Sequence, residues 1–69
     1  MERQAVTSSN LKEVGFDPAT NTLEILFSDG RLYQYFDVPE QVFSGLLSAA
    51  SAGQYFHAQI RGTYRFARL

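Results

Sequence analysis

The sequence predicts an α+β fold: a three-stranded antiparallel meander, one or two short helices after it, and a short extended C-terminal segment. Three observations predict it. Apolar residues in the first half alternate with the period of strands. After Pro39 the period lengthens to that of a helix. The 69 residues allow one small domain, in which helices that follow strands pack on one face of an antiparallel sheet.

The centre of the chain carries the clearest signal. Leu23, Ile25 and Phe27 alternate with Glu24, Leu26 and Ser28, as a strand requires. Ser28-Asp29-Gly30 then turns the chain into Arg31-Leu32-Tyr33-Gln34-Tyr35-Phe36, a second β-prone run, and the pair reads as a hairpin. Two registers are open. A three-residue loop with Gly30 left-handed pairs Phe27 with Arg31 and sets Leu23, Ile25, Phe27, Tyr33 and Tyr35 on one face, with both tyrosines in the core. A two-residue Asp29-Gly30 turn pairs Ser28 with Arg31 instead. It moves both tyrosines to the opposite face, beside Leu26 and Arg31, as an exposed stacking platform. Asp and Gly late in a type I turn favour the first register.

Upstream, Lys12-Glu13-Val14-Gly15-Phe16 reads as a shorter strand with Val14 and Phe16 on one side. The turn Asp17-Pro18 through Asn21 brings it antiparallel to the hairpin. Ser8-Ser9-Asn10 before it reads as loop. Downstream, Pro39 suits the first helical position and Glu40 the positive helix end. Val42, Phe43, Leu46, Leu47 and Ala50 mark one face at helical spacing. Ser51 is placed to cap a second short helix reaching to about Ile60, seated by Phe56 and Ile60 and closed by Gly62. Tyr64-Arg65-Phe66 reads as a terminal strand or extended tail. The expected core is Val14, Phe16, Ile25, Phe27, Val42, Phe43, Leu46, Leu47, Phe56 and Ile60.

A chain this short buries only about 60% of its unfolded surface, so its stability leans on six Phe and four Tyr. There is no cysteine, hence neither a disulfide nor a thiolate metal site. The N-terminus is polar, without a signal-peptide pattern, and apolar runs stay far below the ~20 residues of a membrane span. A cytoplasmic, non-membrane protein is expected. Catalysis has little to work with. His57 is the sole histidine, the nearest preceding acids are Glu40 and Asp37, and Ser8 or Ser9 would need His57 folded against them. The glycines are isolated rather than grouped in a phosphate-cradling motif. No catalytic residue, metal site or cofactor is expected, and the chain is read as not an enzyme.

Charge is segregated. All seven acidic residues lie within residues 1–40, with Arg3, Lys12 and Arg31; from Gln41 onward the only Lys or Arg residues are Arg61, Arg65 and Arg68. A net charge of −1 thus hides a basic C-terminal segment, and an anionic partner responds to the local patch. Tyr64 and Phe66 lie between these arginines. Guanidinium pairs with phosphate and a ring stacks on an unpaired base. RNA or single-stranded nucleic acid is therefore the expected partner, with Arg61, Arg65 and Arg68 on phosphates, Tyr64 stacking and Arg31 at the hairpin tip as a secondary contact. The competing reading is a solvated tail whose arginines pair with Glu24, Asp37 or Glu40. The runner-up function is a protein-interaction module, through strand addition to a partner or to a second copy of the chain.

The chain also resembles a known family. Ser8-Ser9-Asn10-Leu11, Val14-Gly15-Phe16-Asp17 and the spaced run of Leu23, Ile25, Phe27, Gly30, Tyr33, Tyr35, Val38 and Pro39 are similar to the KTSC domain. So are Ser51, Gly53, Tyr55 and Phe56, followed by Ile60, Arg61 and Tyr64. The resemblance runs from about Val6 to Tyr64. The family is named for the C-terminal extension of some lysyl-tRNA synthetases and also occurs as small stand-alone bacterial or phage proteins. The resemblance implies no active site to carry over. It implies RNA binding only through that attachment, and matches the family's central tyrosine pair to Tyr33 and Tyr35.

Overall fold

Gly30 decides the register of the central hairpin. In the computed structural model, which describes residues 1–69, Gly30 is left-handed with φ 94°. The Phe27 amide donates to Arg31 O at 2.8 Å, and the Gly30 amide to Phe27 O at 2.9 Å. This is the three-residue bulged loop, and it sets Ile25 opposite Tyr33 and Leu23 opposite Tyr35.

The sheet has five strands rather than three: β1 (Arg3–Ala5), β2 (Leu11–Asp17), β3 (Thr22–Phe27), β4 (Leu32–Tyr35) and β5 (Phe66–Arg68). All are antiparallel and lie in sequence order. β1 escapes sequence reading because three residues are too short to show a period, and β5 is foreshadowed there only as a terminal strand or extended tail outside the meander. Tertiary pairing creates them: β1 on the outer edge of β2, and β5 on that of β4. The expected terminal strand Tyr64–Phe66 therefore begins at Phe66 instead. Both edges of the expected meander are covered.

Lys12 is the extra residue of a bulge in β2, since Leu11 pairs with Phe27 while Glu13 pairs with Leu26. The bulge lets Leu11 and Val14, three apart, both face the core. That core comprises Leu11, Val14, Leu23, Ile25, Phe27, Tyr35, Val38, Leu46, Ala52, Phe56 and Ile60. Phe16, Val42 and Phe43 pack against it only partly buried, with Phe16 and Phe43 stacked at 5.4 Å.

α1 spans Glu40–Ser48. Pro39 precedes it with extended backbone (φ −64°, ψ 147°), so it is the flanking residue and not the first helical one. The cause lies just upstream. Asp37 is left-handed (φ 57°), and the Val38 amide donates to Asn21 O at 2.9 Å. This holds the chain extended until Glu40. Leu46 faces the core, whereas Leu47, one residue and about 100° further round the helix, is 37% exposed. The expectation that Leu47 is core is corrected accordingly. α2 spans Ala52–Tyr55, and the Ser51 hydroxyl caps it by accepting from the Gln54 amide at 3.2 Å. The helix widens into a π turn over Phe56–Ile60, closed by the Arg61 amide donating to Phe56 O at 2.9 Å. Gly62, at φ 78°, then redirects the chain into β5.

Candidate functional site

The bulged hairpin register puts Tyr33 and Tyr35 on the core-facing side of the sheet, and β5 brings a third ring to them. The two tyrosine rings stack at 6.3 Å and 21°. Phe66, opposite Tyr35 in the β4–β5 register, lies 5.7 Å from both. Phe27 meets Tyr33 edge-on at 5.6 Å, and Phe56 meets Phe27 at 5.4 Å and Tyr35 at 5.7 Å. These five rings come from β3, β4, the π turn and β5, and they floor an open cleft of about 510 Å³. Phe66 is 59% exposed, a large apolar ring left standing in water.

Basic groups rim the cleft. The Arg31 guanidinium lies 5.3 Å from the Phe27 ring centre and 6.0 Å from that of Tyr33. Asp29 orients it, accepting from Arg31 Nε at 2.7 Å. The Asp29 side chain foremost, with a smaller contribution from Tyr33, raises the Arg31 pKa. In return the Arg31 backbone N–H, ahead of its guanidinium, lowers that of Asp29. Arg61 and His57, one turn apart, line the same cleft, with Arg61 Nη1 3.2 Å from His57 Nδ1. Guanidinium can only donate, so in this contact His57 Nδ1 is the accepting atom. Neither Arg61 nor Arg68 pairs with a carboxylate; the ion pairs are Arg3–Glu13, Arg3–Glu24, Arg31–Asp29 and Arg65–Asp37. Strand register sets Arg68 opposite Tyr33, on the cleft side of β5.

Tyr35 is the buried member of the floor, 5% exposed, and its hydroxyl has no hydrogen-bond partner within the protein. No side-chain polar atom sealed from solvent lacks a partner, so that hydroxyl opens into the cleft. Burial foremost, then Tyr33, pushes the phenol's pKa up, while Arg61 and Arg31 pull against them.

The fold thus separates the residues singled out in the sequence. Arg31 and Arg61 line the cleft, and the register of β5 puts Arg68 on the same side of the sheet. Arg65 is drawn away: Asp37 accepts from its Nη2 at 2.7 Å, and its guanidinium lies 5.8 Å from the Phe36 ring centre. Tyr64 packs against the core and shares a second, more open groove with Phe36, Thr63, Arg65 and Phe66. Ser8 Oγ accepts from the Asn10 and Leu11 amides, and no hydrogen bond joins it to His57. Sequence reasoning left Tyr33 and Tyr35 between core and stacking platform, and it did not assign Asn10, Phe27, Phe56 or Phe66 to the site. Phe66 alone carried a signal, as the ring between Arg65 and Arg68.

An antiparallel sheet with helices on one face and a ring-floored cleft beside them defines the class, a small α+β protein. The chain belongs to the KTSC domain family, whose model matches residues 7–64. It is 41% identical to an uncharacterized protein of Stutzerimonas stutzeri over 100% of this chain and 99% of that one. It is also 41% identical to part of a lysine–tRNA ligase of Nostoc sp., over 88% of this chain but only 11% of the ligase. A crystal structure of a KTSC domain protein from Yersinia pestis superposes with a TM-score of 0.93 at 38% identity, over 99% of this chain and 96% of that one.

Proposed function

We propose that this protein is a non-enzymatic module that binds unpaired nucleic acid, RNA foremost, in the aromatic cleft. The observation that carries the reading is the convergence of Arg31 and Arg61, without an ion pair on Arg61, on a floor containing Tyr33 and Phe66. Stacking on aromatic rings is sequence-tolerant because every base has a π face, and arginine supplies both phosphate pairing and cation–π contact. The site is built from these two components. The similarity to a segment of lysine–tRNA ligases agrees with it, as does the basic C-terminal segment. The phosphate contacts are Arg31, Arg61 and Arg68; Arg65 and Tyr64 drop out of the first contact set because of where the fold holds them. Strand addition is the weaker reading, since each free sheet edge offers three residues only. A cytoplasmic location completes the proposal, supported by the lack of cysteine. No helix is long and apolar enough to cross a membrane.

The test is fluorescence polarisation against short mixed-sequence single-stranded RNA at about 50 and 200 mM salt. With about three phosphate contacts, log K should fall against log salt with a slope of roughly −2. Failure to bind at high micromolar protein in low salt would refute the proposal.

A further inference from the structure

We infer that the cleft is a single-nucleotide site in which the Tyr35 hydroxyl reads the edge of one inserted base. The inference rests on the nucleic-acid reading and deepens it, from a surface that attracts phosphate to a pocket that recognises a base. Two observations carry it besides the arginines.

The first is size and shape. A cleft of about 510 Å³ falls within the roughly 300–1,000 Å³ range of small-ligand sites. It holds one nucleotide rather than a run of them. The walls differ in character. Tyr33 and Phe66 are the two least buried rings of the floor, and Arg31 and Arg61 stand at the rim, where a phosphate attached to a stacked base would sit.

The second is Tyr35. Its hydroxyl has no partner within the protein and is not sealed from solvent, although the residue as a whole is only 5% exposed, which leaves the oxygen available to a ligand in the cleft that Tyr35 lines. The ring itself is fixed on two sides, by stacking on Tyr33 and by the edge-on contact with Phe56. A fixed hydroxyl that both donates and accepts can meet a donor or an acceptor on a base edge. A phenylalanine would fill the same space, so packing does not call for the oxygen. Asn10, on the same cleft, has its Oδ1 engaged by the Ser9 hydroxyl at 3.0 Å, which leaves the amide nitrogen free to contribute a second contact.

The experiment competes nucleoside 5′-monophosphates and ribose 5-phosphate against a labelled single-stranded RNA, and titrates the same small molecules directly by calorimetry, for the wild type and Tyr35→Phe. Thermal melts confirm that the variant is folded, since only one oxygen is removed. The nucleotides should compete and ribose 5-phosphate should not. Tyr35→Phe should weaken nucleotide and RNA alike by about five- to tenfold, as expected for one lost hydrogen bond. Competition by ribose 5-phosphate as strong as by the nucleotides would overturn the inference and leave an anion-binding surface. So would RNA binding unchanged in Tyr35→Phe, with the broader reading intact. Nucleotide binding sensitive to Tyr35 without RNA binding would sustain the pocket and refute the RNA reading, and binding of neither would sink both.

Discussion

Arg3 reaches over Gly15 to Glu24. On the outer face of the sheet Gly15 stands between them in register, opposite Arg3 on one side and Glu24 on the other. Lacking a side chain, it lets the guanidinium cross the strand, with Nη1 donating to Glu24 Oε2 at 2.7 Å and Nε to Glu13 Oε1 at 3.0 Å. A Cβ at Gly15 would lie 2.5 Å from Glu2 O and 3.0 Å from Arg3 Cγ. The nearer atom is backbone, so β1 itself must shift. Gly15→Ala should cost about 1–3 kcal/mol, the range for overpacking. Chemical denaturation checks the magnitude. Early amide exchange of residues 3–5 would show that β1 is the part released.

Glu24 also gives the molecule an acid-sensitive contact. It is 7% exposed. Burial alone would raise its pKa, but hydrogen bonds from Gln34 and Arg3 outweigh burial and hold it below the ordinary 4.5. The folded protein therefore binds this proton more weakly than the unfolded chain does. The stabilisation is complete above about pH 4.5 and is lost as pH falls through the lower folded value. Glu24→Gln should be less stable than wild type by about 1 kcal/mol at neutral pH. The gap should close as denaturation is repeated at decreasing pH through the carboxylate range. A gap that stays constant into strong acid would show that the charge of Glu24 contributes nothing.

How much of this was legible follows from which residues carry a period. The hairpin was readable because Leu23, Ile25 and Phe27 alternate and Gly30 sits where a left-handed residue is needed. β1 was not, because Arg3-Gln4-Ala5 is exposed throughout and is a strand only through its partner. Val38 is fully buried yet lies in a loop, where no periodicity marks it. In the site, Arg31 and Arg61 could be named from charge and spacing, but the floor could not. Its rings are contributed by four separate segments, and Phe66 reaches the tyrosines only once β5 has paired. Arg65 and Tyr64 looked equivalent to their neighbours in sequence; Asp37 and the core separate them in space.

Gly45 and Tyr55 form a coupled pair between α1 and α2. A Cβ at Gly45 would run into the ring and hydroxyl of Tyr55. Alanine in a helix interior is normally favoured over glycine by about 1 kcal/mol, so the sign of Gly45→Ala depends on its neighbour. In the wild type it should destabilise. In a Tyr55→Ala background it should stabilise by about 1 kcal/mol. A double-mutant cycle by urea denaturation measures the difference, and additive effects would show that the close approach is relaxed in solution.

The arginines should not be equal. Arg65 is committed to Asp37, and because both side chains are more than three-quarters exposed the pair itself should add little to stability. Its importance is directional, since it points the guanidinium away from the ring floor. Arg61 has no carboxylate partner and only His57 Nδ1 beside it, and Arg68 follows the register of Tyr33. If RNA lies in the cleft, each of Arg61→Ala and Arg68→Ala should reduce the steepness of the salt dependence by about 0.7 and weaken binding, as the loss of one single-strand phosphate contact requires. Arg65→Ala should leave the slope unchanged. Asp37→Asn would release Arg65, and should either leave affinity unchanged or raise it slightly as a new cation becomes free. Equal losses at all three arginines would mean that the basic segment acts as a diffuse patch of charge, with the cleft playing no part.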